Sequence, residues 1–222
     1  MSNDEYIYEI IKNEDDARYC AQLIAEEFSA HNPITYFDRI TSTCFFNECS
    51  WPLLKNVLDE HISLLVRDRS TNKIIATTFA GDLYLQHEKK NLSDTSHTIA
   101  VDHLLDEMDE LFIKQDFGQE LKPNMVLHVT LCAVHSQYAG KGIITQMCKR
   151  ICDYASKEKG FQYILVQVTS QATRHIWVNK LGGKEVTIID PTTWIWKRKG
   201  DEVLYPYKDY EGGLIPNILV KL

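Results

Sequence analysis

No apolar run in this 222-residue chain reaches the roughly 20 residues needed to span a bilayer. The amino terminus, MSNDEYIYEI, has acids where a secretory signal would carry basic residues ahead of a long apolar stretch. Both absences lead to the expectation of a cytoplasmic protein with no membrane partner. The six cysteines (Cys20, Cys44, Cys49, Cys132, Cys148 and Cys152) form no CxxC pair and lack the density of a disulfide scaffold, so they read as reduced thiols. A helix would stack Cys148 and Cys152 on one face, but no histidine lies close in sequence to complete a ligand set, and no metal is expected. Basic excess is also missing. The formal net charge of −7 argues against nucleic acid as a partner and is compatible with a cationic small substrate drawn to an acidic cleft.

The chain contains no low-complexity tract, linker or internal repeat. With 44% hydrophobic and 25% charged residues, it reads as one soluble domain over residues 1–222, a monomer or weak dimer. The triplet Asn91, Leu92, Ser93 matches a glycosylation acceptor that would stay idle in the cytosol.

YIYEII carries the aromatic and β-branched residues of a strand, and NEDDARYCAQLIAEEF has helix chemistry, with Asn13 as cap and Ala17, Cys20, Ala21, Ile24 and Phe28 on one face. Pro33 forces a bend after this helix. A second helical stretch is expected within TYFDRITSTCFFNECSWPLLKNVLDEH, broken near Ser50 and Pro52. ISLLVRD, the turn RSTNK and IIATTFAGDLYL predict a hairpin, followed by a polar loop, HEKKNLSDTS. HTIAVDHLLDEMDELFIKQDF reads as an amphipathic helix, NMVLHVTLCAVH as a strand and IITQMCKRICDYASKEKG as a helix stopped by Gly160. A strand (FQYILVQV), a short helix (SQATRHIWVNKLGG) and another strand (KEVTIID) follow. The order describes one α/β unit.

Between the strand LHVTLCAVH and the helix IITQMCKRI stands QYAGKG. A strand, a glycine bend and a helix start make an anion site, because successive backbone N–H groups and the helix dipole face the ligand. Gly140 and Gly142 would let the backbone approach a pyrophosphate, with Lys141, Lys149 or Arg150 adding charge; a plain tight turn is the alternative. Neither GxxxxGK[ST] nor GxGxxG is present.

QYAGKG fits the Q/R-x-x-G-x-G/A signature of the GCN5-related N-acetyltransferases, and the element order from Tyr6 to about Ile189 resembles their fold. The resemblance implies a mixed, mostly antiparallel sheet with a splayed strand pair and helices on both faces. It also implies acetyl-CoA as co-substrate, its pantetheine arm added to the free strand edge at Cys132, Ala133 and Val134. The N–H groups of Ala139, Gly140, Lys141, Gly142 and Ile143 would hold the pyrophosphate, with Gln137 and Thr145 beside it. WVNKLGG is similar to the family's LYxKLGF helix end. Three stretches, EEFSAHNPITYF, VDHLLDEMDELF and LVQVTSQATRH, and the ending YEGGLIPNILVKL resemble the insect-type arylalkylamine enzymes in particular. Dopamine, serotonin or tyramine is then the expected acceptor, with a polyamine or peptide amine, or a CoA-binding module without catalysis, as alternatives.

Acetyl transfer needs a neutral amine, yet a Lys-like alkyl amine is protonated by roughly three pH units at neutrality, a cost of about 4 kcal/mol. A base is therefore useful, as are donors for a developing oxyanion. His128 and Thr130 share one side of the turn-bearing strand, and the resemblance to vertebrate-type enzymes makes His128 a candidate base. His135, at the strand's exit, reads as a residue of the solvent or CoA side. Insect-type enzymes place a glutamate just before the loop proline; here that residue is Asn32, which cannot take a proton. His31, Glu27 or a relayed water remains for the role. Ser170 and Thr173 lie near the family's serines but equally suit a helix cap. Val178 replaces the family's acidic tyrosine, so no general acid is assigned. Tyr36, Phe45, Phe46 and Trp51 serve either an aromatic pocket or the core.

Overall fold

The aromatic and β-branched residues of YIYEI form strand β1 (Tyr6–Ile10). The computed structural model describes residues 5–91, 99–197 and 203–222. Asn13 caps helix α1 (Glu14–His31) by accepting the Asp16 N–H at 2.8 Å, and Ala17, Cys20, Ala21 and Ile24 bury one face. Pro33 ends α1 and opens α2 (Pro33–Phe37), where its missing N–H costs nothing. Helix α3 (Ser42–Phe45) continues through a π-helical turn (Phe46–Ser50) into α4 (Trp51–Val57). The break expected near Ser50 and Pro52 is therefore displaced to the segment between α2 and α3. The wider turn, closed by the Trp51 N–H on the Phe46 carbonyl, accommodates Pro52 without interrupting the helix.

Strands β2 (Leu64–Asp68) and β3 (Ile74–Asp82) form the expected hairpin. The chain does not stay extended through Leu85, however. Asp82 Oδ1 accepts the Tyr84 N–H at 3.0 Å and starts helix α5 (Leu83–Asn91), which replaces part of the expected polar loop. Residues 92–98, including Leu92 and Ser93 of the glycosylation-like triplet, lie outside the described residues. Helix α6 (Ala100–Leu111) runs into a second π turn (Phe112–Asp116), and β4 (Val126–Val134), α7 (Ile143–Lys159) and β5 (Tyr163–Gln167) follow. Helix α8 (Gln171–His175) with a π turn (Ile176–Lys180), then β6 (Lys184–Ile189), match the remaining expectations. A small hairpin of β7 (Trp196–Lys197) and β8 (Val203–Leu204) precedes the last strand, β9 (Ile215–Lys221).

The seven-stranded sheet has the order β1-β2-β3-β4-β5-β9-β6, antiparallel except between β4 and β5. β9 inserts between β5 and β6, an arrangement that no local pattern announces. One core layer lies between the sheet and α7, with Leu127, Val129, Met147, Ile151 and Trp177. The opposite layer packs α1 and α4 on Phe79 and Leu131. Each of these large apolar side chains contributes about 1.5–3 kcal/mol through burial, so the two layers hold the sheet from both sides. Among the described residues no helix is long and apolar enough to cross a membrane.

Candidate active site

β4 pairs with β5 only from Val126 opposite Tyr163 to Val129 opposite Val166. Beyond that point β5 stays with β9, where Gln167 faces Asn217 and the Val168 N–H reaches the Pro216 carbonyl at 3.1 Å. β4 runs on with β3, and the two parallel strands splay. A bulge marks the fork, since Phe79 faces Leu131 and Ala80 faces Val129, leaving Thr130 as the extra residue. The bulge also reverses the alternation of β4. Leu127 and Val129 pack toward α7, whereas Leu131 and Ala133 pack toward α1.

The splay leaves a free backbone edge. The His135 N–H donates to the Ile75 carbonyl at 2.8 Å, so alternation gives Ala133 to β3 and turns the N–H and C=O groups of Cys132 and Val134 outward. Of the three residues expected to offer their backbone, Cys132 and Val134 keep outward groups, while Ala133 pairs with Thr77 of β3.

The glycine bend supplies the second element. Gly140 and Gly142 both have φ of 76°, and a Cβ added to either would meet no atom within 4 Å, so the backbone borders open space. Gln146 makes the first helical bond of α7, to the Gly142 carbonyl at 3.1 Å. Among the described residues, the N–H groups of 140–145 have no protein acceptor. The Ala139 N–H, by contrast, donates to the Ser136 carbonyl at 3.1 Å. The donors without a protein acceptor begin at Gly140 and include those of Lys141, Gly142, Ile143 and Thr145. Gln137 is exposed, its N–H held by His135 Nδ1 at 3.2 Å. Six backbone donors without a protein acceptor, three in the bend and three in the first turn of the 17-residue helix, fit a diphosphate.

A cleft of about 760 Å³ opens where β4 and β5 separate. Five carboxylates line it (Glu27, Glu48, Asp102, Asp106 and Asp109), and among the described residues no lysine or arginine does. Asp102, Asp106 and Asp109 share one face of α6 through their i, i+4, i+7 spacing. The row is readable in DHLLDEMD as one face of a helix, and packing turns it toward the cleft. Asp106 pairs with Lys90 at 2.8 Å.

Within the cleft the candidate residues separate. His128 is buried on β4, with Nδ1 3.0 Å from Gln86 Oε1 and Nε2 3.7 Å from Asp109 Oδ1. Burial lowers its pKa to about 4. Asp109 moves the other way: burial, then Asp106 and Glu110, raise its carboxyl well above the ordinary range against the opposing charge of Lys90. Gln167 Nε2 bridges the Leu105 carbonyl at 2.6 Å and Asp109 Oδ1 at 2.9 Å. Sequence reasoning missed Gln86, Asp109 and Gln167 because they lie on three elements that meet only in the fold.

His31 stands at the cleft mouth with 62% of its side chain exposed, 3.7 Å from Glu27 Oε2. Glu27 in turn accepts the Ser136 N–H at 2.9 Å and ties α1 to the glycine bend. Asn32 spends both ends of its amide, accepting the Thr35 N–H at 3.2 Å and donating to Thr169 Oγ1 at 2.8 Å. Ser170 caps α8 by accepting the Thr173 N–H at 3.2 Å and also meets the Thr173 hydroxyl at 3.1 Å. Both hydroxyls still line the cleft. Of the aromatic candidates only Phe45 lines it; Trp51 stacks on Phe46 and under Arg18, and Tyr36 is exposed.

Solved structures share this architecture over nearly the whole chain. The C-terminal condensation domain of Ebony in complex with β-alanyl-dopamine superposes with a TM-score of 0.77 at 13% identity, covering 97% of this chain and 99% of that one. Drosophila melanogaster polyamine N-acetyltransferase gives 0.70 at 13% identity, covering 98% and 100%. Arylalkylamine N-acetyltransferase 2 from Aedes aegypti gives 0.67 at 17%, covering 98% of each chain. No curated protein sequence matches the chain. The model of the acetyltransferase (GNAT) family matches residues 22–182, from within α1 through the splayed strands and the glycine cradle to the end of the π turn after α8. The chain belongs to that family and is an N-acetyltransferase.

Proposed function

We propose that this protein transfers the acetyl group of acetyl-CoA to the primary amine of a small cationic molecule, with arylalkylamines such as dopamine, serotonin or tyramine as the first acceptor class. The observation that carries this reading is the charge of the cleft, five carboxylates and no lysine or arginine among the described lining residues. Such a cleft concentrates an ammonium ion and disfavours an anionic acceptor. Phe28 and Phe45, with ring centroids 5.4 Å apart, supply an aromatic wall for the amine's ring.

Acetyl-CoA, the co-substrate of the family, brings the activated thioester. The N–H groups of 140–145 bind its diphosphate, and the outward edge of Cys132 and Val134 pairs with its pantetheine amides. The Cys132 and Val134 N–H groups are also the donors nearest to a carbonyl seated on that edge.

A specific observation supports a second acceptor class. The aligned Asp102, Asp106 and Asp109 extend over about 10 Å of helix and suit a second positive charge, as in a polyamine. A thiol-release assay with acetyl-CoA and a panel of aromatic amines, polyamines and peptides separates these readings. Preference for aromatic amines supports the first class, and turnover confined to polyamines replaces it by the second. Tight CoA binding without turnover of any amine refutes the proposal.

A further inference from the structure

We propose that Asp109 is the group that takes the proton from the incoming ammonium, with the His128 Nε2 lone pair as the second acceptor that orients the amine, or the water relaying its proton. This rests on the acetyl-transfer reading and adds to it the residue that performs the deprotonation.

Four other candidates facing the cleft are committed or misplaced. Asn32 cannot be protonated and has both ends of its amide bonded. Glu27 holds the Ser136 N–H, Asp106 is paired with Lys90, and His31 stands in solvent at the mouth. Asp109 is different. Its side chain keeps 14% of its surface, opening onto the cleft, and Gln167 fixes Oδ1 in place.

His128 supplies the second observation. With Oε1 assigned as the Gln86 atom that faces the ring, the contact at 3.0 Å requires the imidazole proton on Nδ1 and leaves Nε2 as a lone pair. That nitrogen is buried and has no hydrogen-bond partner among the described residues. A buried acceptor without a partner costs about 1–3 kcal/mol, so its retention asks for a donor. Nε2 and Asp109 Oδ1 are 3.7 Å apart, too far to bond each other and close enough for one ammonium or water to donate to both.

The surroundings then divide the roles. Burial holds the His128 imidazolium out of reach at neutral pH, whereas Asp109 is shifted upward, toward the range where a carboxylate is an effective base. The charged groups around it come from two helices: Asp106 and Glu110 of α6 raise its affinity for a proton, and Lys90 of α5 opposes them. Glu110 is itself paired with His87 at 3.0 Å and Lys114 at 2.7 Å. β4 contributes neutral His128 and β5 the uncharged Gln167.

The proton balance closes. The ammonium gives one proton to the Asp109 carboxylate, and the freed nitrogen pair forms the C–N bond as the C–S bond breaks and sulfur leaves with its electron pair. The second amine proton goes to that sulfur. Asp109 then releases its proton by a separate route. A second cleft of about 400 Å³, lined in part by His87, Lys90 and Glu110, shares Asp106 and Asp109 with the first, so the carboxyl borders both, and the proton is released on this second side.

Asp109→Asn in the full chain tests the assignment, using the best amine from the panel. The expected result is a fall in kcat/KM of about 100-fold or more, loss of the acid limb of its pH profile, and acetyl-CoA affinity within about twofold of wild type. A variant within about threefold of wild type that keeps the acid limb overturns the proposal. A 13C-carboxyl NMR titration of the free protein gives a readout independent of turnover. The Asp109 resonance is assigned by its loss in D109N or, should that variant not fold, by its displacement in His128→Gln. Titration well above the ordinary aspartate range supports the assignment, and titration near 3.8 overturns it even in an active enzyme. If no amine is acetylated the functional reading fails, while the NMR result still decides whether this carboxyl is tuned to hold a proton.

Discussion

Replacing His128 by glutamine separates the energetic cost of keeping a neutral imidazole under the sheet from any role in turnover. In the folded protein burial holds the imidazole pKa down from 6.5 to about 4. As the pH falls through 6.5 the unfolded chain takes up a proton that the folded chain refuses until about pH 4. Stability is therefore lost on acidification across that window and is unaffected by this group above it. At roughly 1.4 kcal/mol per pH unit, the full loss is about 3 kcal/mol. His128→Gln lacks this dependence and keeps a side-chain donor for Gln86 Oε1. Urea unfolding of both proteins from pH 7.5 to 4 measures the effect, and the groups common to both, Asp109 and Asp106 included, cancel to first order in the difference. The stability advantage of wild type over the variant should shrink by about 3 kcal/mol between pH 7 and pH 4. A difference constant to within about 0.5 kcal/mol over that range would refute the claim that His128 is buried in its neutral form.

Other perturbations test the remaining parts of the site. Gly142→Glu places a carboxylate beside the cradle and forces a non-glycine residue to φ of 76°, so acetyl-CoA affinity measured by calorimetry should fall by about 100-fold or more; undiminished affinity would show that the diphosphate lies elsewhere. Asn32→Ala removes the α2 cap and the bond to Thr169 and should cost about 1–2 kcal/mol in urea unfolding; an unchanged midpoint would mean that this corner is held by other contacts.

The proposed cofactor half of the site was legible because its ingredients are contiguous. QYAGKG, the strand before it and the helix after it are one stretch of chain, and glycine's tolerance of positive φ suits the bend, where Gly140 and Gly142 have φ of 76°. Even there, the internal bond of Ala139 and the pairing of Ala133 with β3 depend on hydrogen bonds that residue types do not specify. The acceptor half was not legible in the same way. Gln86 sits on α5, a helix whose sequence reads as strand and polar loop until Asp82 caps it; Asp109 is on α6 and Gln167 on β5. The spacing of Asp102, Asp106 and Asp109 signals a shared face, but only packing turns that face inward.

Hydrophobic period, caps and glycine dihedrals act over a few residues, so the α/β class, most of the elements and the glycine bend before α7 are written locally in the chain. The insertion of β9 between β5 and β6, the bulge at Thr130 and the splay of β4 from β5 were decided by the tertiary structure. So was the meeting of His128 with Gln86 and Asp109. Those features arise from pairings over long sequence separations, where one sheet edge competes with another for a partner. The proton affinities of His128 and Asp109 follow from the same source, since desolvation and neighbouring charge belong to the assembled cleft and to no single stretch of the chain.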